Sequence, residues 1–94
     1  MRNKRMLTAD ELIALEDRHT SGCYQKRPIA IVRGKGARLW DADGKEYIDC
    51  VGGHGVANVG HCHPKVVEAI KKQAELMSHA PAAQAPNPER AQLL

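Results

Sequence analysis

The sequence predicts an α+β segment: a short helix, a three-stranded antiparallel meander and a second helix. Three observations predict it. A capping-box pattern opens a helical stretch at Thr8, Asp43-Gly44 separates two β-like runs, and apolar residues recur at three-to-four spacing after Pro64.

Thr8-Ala9-Asp10-Glu11 places a hydroxyl at the N-cap and a carboxylate three residues later, so each satisfies a backbone N–H of the other. Leu12, Ile13 and Leu15 carry this helix to about Arg18, and His19 to Gly22 end it in loop residues; residues 1–19 form the N-terminal helical region. Ile29 to Val32 reads as a strand, Gly34-Lys35-Gly36 as a turn, and Ala37 to Asp41 as a second strand anchored by Leu39 and Trp40. Asp43-Gly44 is a hairpin signal, and Lys45 to Val51 alternates as a third strand, so the meander spans residues 28–51.

Residues 52–63 make a glycine-rich loop. Pro64 suits a first helical position, where its missing N–H costs nothing. Val67, Ile70, Ala74 and Met77 then form one apolar face over a helix spanning 64–79, which Pro81 ends. Residues 80–94 begin as an Ala/Pro linker, and Glu89 to Leu94 read as the start of a further helix.

Composition narrows the function classes. Apolar residues make up 43% of the chain, yet it has one Trp, two Tyr and no Phe, so its core is aliphatic and thin. Such a core is marginal alone and suggests a part of something larger, or an oligomer. Net charge is +3. The cluster Arg2, Lys4 and Arg5 reads as a solvated tail, and no aromatic residues interleave with basic ones as in single-strand nucleic-acid binders. Apolar runs such as Ile29 to Val32 fall far short of the ~20 residues that span a membrane. No apolar stretch follows the basic N-terminus as in a secretion signal. Cys23, Cys50 and Cys62, odd in number and without framework spacing, suit reduced thiols in a cytoplasm.

The densest chemistry lies in Val51 to Pro64, V-G-G-H-G-V-A-N-V-G-H-C-H-P. Cys50, His54 and His61 are the candidate set for a small metal-binding protein, but no second well-spaced ligand pair completes a tetrahedron. Cys62 between two histidines could carry a lowered thiol pKa, but nothing supplies an orienting third group. Gly53-x-Gly55 lacks both the dinucleotide fingerprint and the Lys-Ser/Thr of a P-loop. A tightly turned loop that lets backbone pass close to another group is the reading these glycines favour.

Arg33-Gly34-Lys35-Gly36-Ala37-Arg38-Leu39-Trp40-Asp41, continuing through Tyr47-Ile48-Asp49, resembles the N-terminal meander of class III pyridoxal-phosphate aminotransferases. Gly60-His61-Cys62-His63-Pro64 and Val66-Val67-Glu68-Ala69-Ile70 extend the likeness, which covers about residues 20–78. Within that class the chain is most similar to acetylornithine aminotransferases and to lysine-biosynthesis relatives acting on carrier-bound or acetylated lysine. Cys50-Val51-Gly52-Gly53 leans toward the lysine branch.

The resemblance implies part of the small domain of a fold-type-I α/β enzyme. Such enzymes are homodimers that move an amino group from an amino-acid donor to 2-oxoglutarate, with pyridoxal 5'-phosphate as electron sink. It implies that Gly53, His54 and Gly55 edge the substrate pocket, with His54 where ornithine-type relatives carry an aromatic contact. The Schiff-base lysine and the phosphate-binding turn belong to later segments of such enzymes. None of Lys26, Lys35, Lys45, Lys65, Lys71 and Lys72 matches that lysine's motif, so no catalytic, cofactor-binding or metal residue is expected in this chain. The expectation is an N-terminal part of an enzyme, catalytically incomplete alone. The rival is a stand-alone interaction module that binds an aminotransferase subunit through Val67, Ile70, Ala74 and Met77.

Overall fold

The computed structural model describes residues 5–81 and 83–94, so Arg2 and Lys4 of the basic cluster lie outside the described residues. Contacts divide the chain into two units, one ending at His63 and the other beginning at Pro64.

Helix α1 (Ala9–His19) starts as its sequence dictates. Thr8 Oγ1 accepts from the Glu11 N–H at 3.3 Å, and the Thr8 N–H donates to Glu11 Oε2 at 2.9 Å. Arg5 forks onto the same carboxylate at 2.7 and 3.1 Å. That guanidinium, helped by the Thr8 N–H, holds the Glu11 carboxyl down at about 2.

Strands β1 (Ile31–Lys35), β2 (Arg38–Asp41) and β3 (Glu46–Ile48) form an antiparallel sheet in the order β1-β2-β3. Lys35 pairs with Arg38, so Gly34 and Lys35 belong to the strand and the turn is Gly36-Ala37, with Gly36 at φ 58°. Pairing of Arg33 with Trp40 puts the guanidinium 3.8 Å from the indole centroid. Leu39 and Trp40 are half-buried, and the residue that is buried in β2 is Asp41, 6% exposed. Its Oδ1 accepts from the Asp43 and Lys45 N–H groups at 3.0 and 2.8 Å, and its Oδ2 from the Tyr47 hydroxyl at 2.8 Å. This acid therefore ties the Asp43-Gly44 turn to β3. The Tyr47 hydroxyl, with those two N–H groups, lowers the Asp41 pKa, and Asp41 raises that of Tyr47.

The third strand is shorter than the alternation of residues 45–51 predicts. At Asp49 the chain leaves the ladder: its N–H donates to Ala37 O at 2.8 Å, while its side chain turns back onto the loop that follows.

In the second unit, helix α2 (Pro64–Leu76) precedes helix α3 (Pro88–Leu93). The expected helix over 64–79 ends at Leu76, with one further bond from Met77 N–H to Gln73 O at 2.9 Å. Asn87 caps α3 by accepting from the Arg90 N–H at 2.9 Å, and Pro88 opens it, so the last helix starts one residue earlier than Glu89. The predicted apolar face of α2 is largely uncovered: Ile70 is 64% exposed, and Met77, just past the helix end, 44%. Among the described residues the buried apolar set is Ala9 alone, so the thin core expected from composition is thinner still.

Candidate functional site

The glycine-rich stretch is a loop pinched at its base. Asp49 holds both ends. Its Oδ1 accepts from the Val51 and Gly52 N–H groups at 3.0 and 2.9 Å, and its Oδ2 lies 2.5 Å from His61 Nε2. An ionised carboxylate only accepts, so the His61 ring is the donor. The His61 hydrogen bond, then those from Gly52 and Val51, hold the Asp49 pKa below its ordinary value.

The closing end is docked on the β1–β2 turn. The Gly36 N–H donates to His61 O at 2.9 Å, and the His61 N–H to Gly36 O at 2.8 Å, forming an antiparallel bridge. This contact requires glycine. A Cβ at Gly34 would lie 2.8 Å from His61 Cγ, and one at Gly60, where φ is 82°, would lie 3.0 Å from Gly36 Cα. Close-ended loops of this size are frequently functional.

Between the pinched ends the chain makes a single left-handed turn. Gly52, Gly53, His54 and Gly55 have φ of 60°, 62°, 58° and 82°. The Val56 and Ala57 N–H groups both donate to Gly52 O at 2.9 Å and close it. Glycine enters this region without penalty, but an L-residue costs about 1–2 kcal/mol there. The strain therefore falls on His54, which stands exposed in the turn between Gly53 and Gly55. Cys62, at φ 54°, is the second non-glycine residue in this region.

These placements bear on the chemistries weighed from sequence. Right-handed Val51 followed by left-handed Gly52 forms the kind of backbone cradle that binds anions, but the Asp49 carboxylate already fills it. The cradle is thus internal and not a phosphate site. Cys50, His54 and His61 are not brought together: among the described residues no three His, Cys, Asp or Glu side chains gather to hold a metal. Cys50 and Cys62 are exposed thiols, and the His61 ring is committed to Asp49. Gly53, His54 and Gly55 share the left-handed turn. Sequence reasoning missed Asp49 and His61 as partners; the available signal was an Asp three residues ahead of the first glycine, in position for an Asx-type bond.

Comparison with known proteins shows what the chain is similar to. Residues 21–94 match the model of the aminotransferase class-III family. The chain is 51% identical over 73 residues to an acetylornithine aminotransferase of Methanocaldococcus jannaschii, covering 78% of this chain and 18% of that protein. It is 46% identical over 82 residues to a LysW-aminoadipate semialdehyde transaminase of Deinococcus radiodurans, covering 87% of this chain and 19% of that one. The crystal structure of acetylornithine aminotransferase from Elizabethkingia anophelis superposes with a TM-score of 0.85 at 32% identity, over 93% of this chain and 22% of that one. The chain thus spans about a fifth of the length of the relatives it matches.

Proposed function

The chain belongs to the class-III aminotransferases, and on that footing we propose that Gly53, His54 and Gly55 edge the amino-donor pocket of such an enzyme. The donor is of the acetylornithine type, or a carrier-bound or acetylated lysine type, and the acceptor is 2-oxoglutarate. The observation that carries this reading is the base-pinched left-handed turn, which holds His54 exposed at a backbone conformation that its own side chain disfavours. Strain kept at an exposed polar residue is characteristic of sites where function maintains it.

Pyridoxal phosphate supplies the electron sink in this chemistry. The described residues do not fit it: the N–H cradle at Val51 and Gly52 is filled by Asp49, and no lysine of the chain carries the Schiff-base motif. The segment's part in the reaction is therefore contact with the donor, and the 94-residue chain alone gives no turnover with donor, acceptor and cofactor supplied. The parent enzyme is a cytoplasmic homodimer in this reading. Its support is membership of the family, whose resemblance implies a homodimer. Among the described residues no helix is long and apolar enough to cross a membrane.

The test is a graft in which residues 21–94 replace the matching segment of the Methanocaldococcus jannaschii acetylornithine aminotransferase. His54→Tyr in that graft is expected to shift the kcat/KM ratio between acetylated and free ornithine by about tenfold. An unchanged ratio contradicts the pocket-edge role.

A further inference from the structure

We propose that Asp49 and His61 are positioning residues that set donor selectivity by fixing where the loop holds His54. The inference rests on the pocket-edge reading above and adds two residues to it that touch no substrate.

A loop whose apex contains a strained L-residue relaxes unless its ends over-determine it. Here they do. Asp49 binds the N–H groups that begin the turn and the imidazole that ends the loop, while its own N–H is held by Ala37 O. His61 completes the clamp by wedging its ring against Gly34, where a Cβ would lie 2.8 Å from Cγ and 3.2 Å from Nδ1, and by its two backbone bonds to Gly36. A His–Asp pair elsewhere can serve as a general base, but here Nε2 is spent on the carboxylate and the Cγ–Nδ1 edge of the ring faces Gly34 of β1. The pair's remaining capacity is mechanical. Released, the turn is free to leave the left-handed region and carry the His54 ring with it, and a displacement of about 1 Å at a substrate contact is enough to cost up to ~100-fold in rate.

Two measurements test this. In the full 94-residue chain, NMR couplings and carbon shifts report the φ of His54 directly. They are expected to show left-handed φ in the parent and to lose it in Asp49→Ala and His61→Ala. Retention of left-handed φ in both variants overturns the proposal. In the grafted holoenzyme, the same variants are expected to move the acetylated-to-free donor ratio by about tenfold, chiefly through KM. His61→Gln, whose amide still donates to Asp49, is expected to restore the ratio in part. Asp49→Asn keeps an acceptor for Val51 and Gly52, and so reads the His61 link should Asp49→Ala prevent assembly. A fall in kcat/KM equal for both donors marks a merely structural role and overturns the proposal. An unchanged ratio in these variants while His54→Tyr still shifts it overturns the clamp alone; an unchanged ratio for His54→Tyr as well overturns the pocket-edge reading beneath it.

Discussion

The pinched loop and helix α2 are both solvent-exposed segments, yet they are held by opposite means. The loop has almost no apolar packing, but its backbone is fixed by one carboxylate, one imidazole and close glycine contacts. Helix α2 has a regular backbone and an apolar face, yet Ile70 on that face is exposed. Conformation in the loop is set by specific polar contacts within its own unit. In α2 it is set by periodicity, and the surface that would reward that periodicity is not covered within the described residues.

Substitutions that break the loop's fixation should cost most. Gly60→Ala combines a positive φ with a Cβ 3.0 Å from the Gly36 backbone; the expected loss is about 3 kcal/mol in urea unfolding. Gly52→Ala, with nothing within 4 Å of the added Cβ, meets only the φ penalty and should lose about 1–2 kcal/mol. Equal losses at the two sites would mean that the docking onto Gly36 contributes nothing.

Acid should separate the two regions next. Asp41 and Asp49 have folded-state pKa values below their ordinary ones. The folded state therefore binds these protons less readily than the unfolded one. Their stabilisation is complete above about pH 4 and is lost as the pH falls further through the lowered values. Amide protection at Lys45, Val51 and Gly52 should fall in that window, while that of the middle of α2 does not follow it. Glu11 extends the same behaviour in α1, from 4.5 down to about 2.

His54→Gly sharpens the comparison from the other side. It removes the one L-side chain from the turn, so stability should stay level or rise by up to about 1 kcal/mol. A clear loss would show that His54 is held for packing. Smallest of all, Ile70→Ser on the exposed face of α2 should change the chain's unfolding free energy by no more than about 0.5 kcal/mol.

Much of the fold was legible because its signals are local. The Thr8–Glu11 box, the Asp43-Gly44 turn and Pro64 each act through a neighbour a few residues away. The left-handed turn was not legible: three glycines permit it without requiring it, and His54 by itself argues against it. Nor was the loop's base, since Asp49 and His61 meet across twelve positions and neither residue type announces the other. Asp41 was missed for a related reason, because a charged residue at a strand end reads as solvated until the three donors around it are seen. For α2 the spacing gives the apolar face but carries no information about what covers it.

The most direct measurement is the ratio of kcat/KM for acetylated against free ornithine in the grafted enzyme carrying His54→Gly. Because this substitution is expected to leave the loop's stability intact, a ratio that collapses toward one places donor selection at His54. A ratio equal to that of the parent graft would contradict the account.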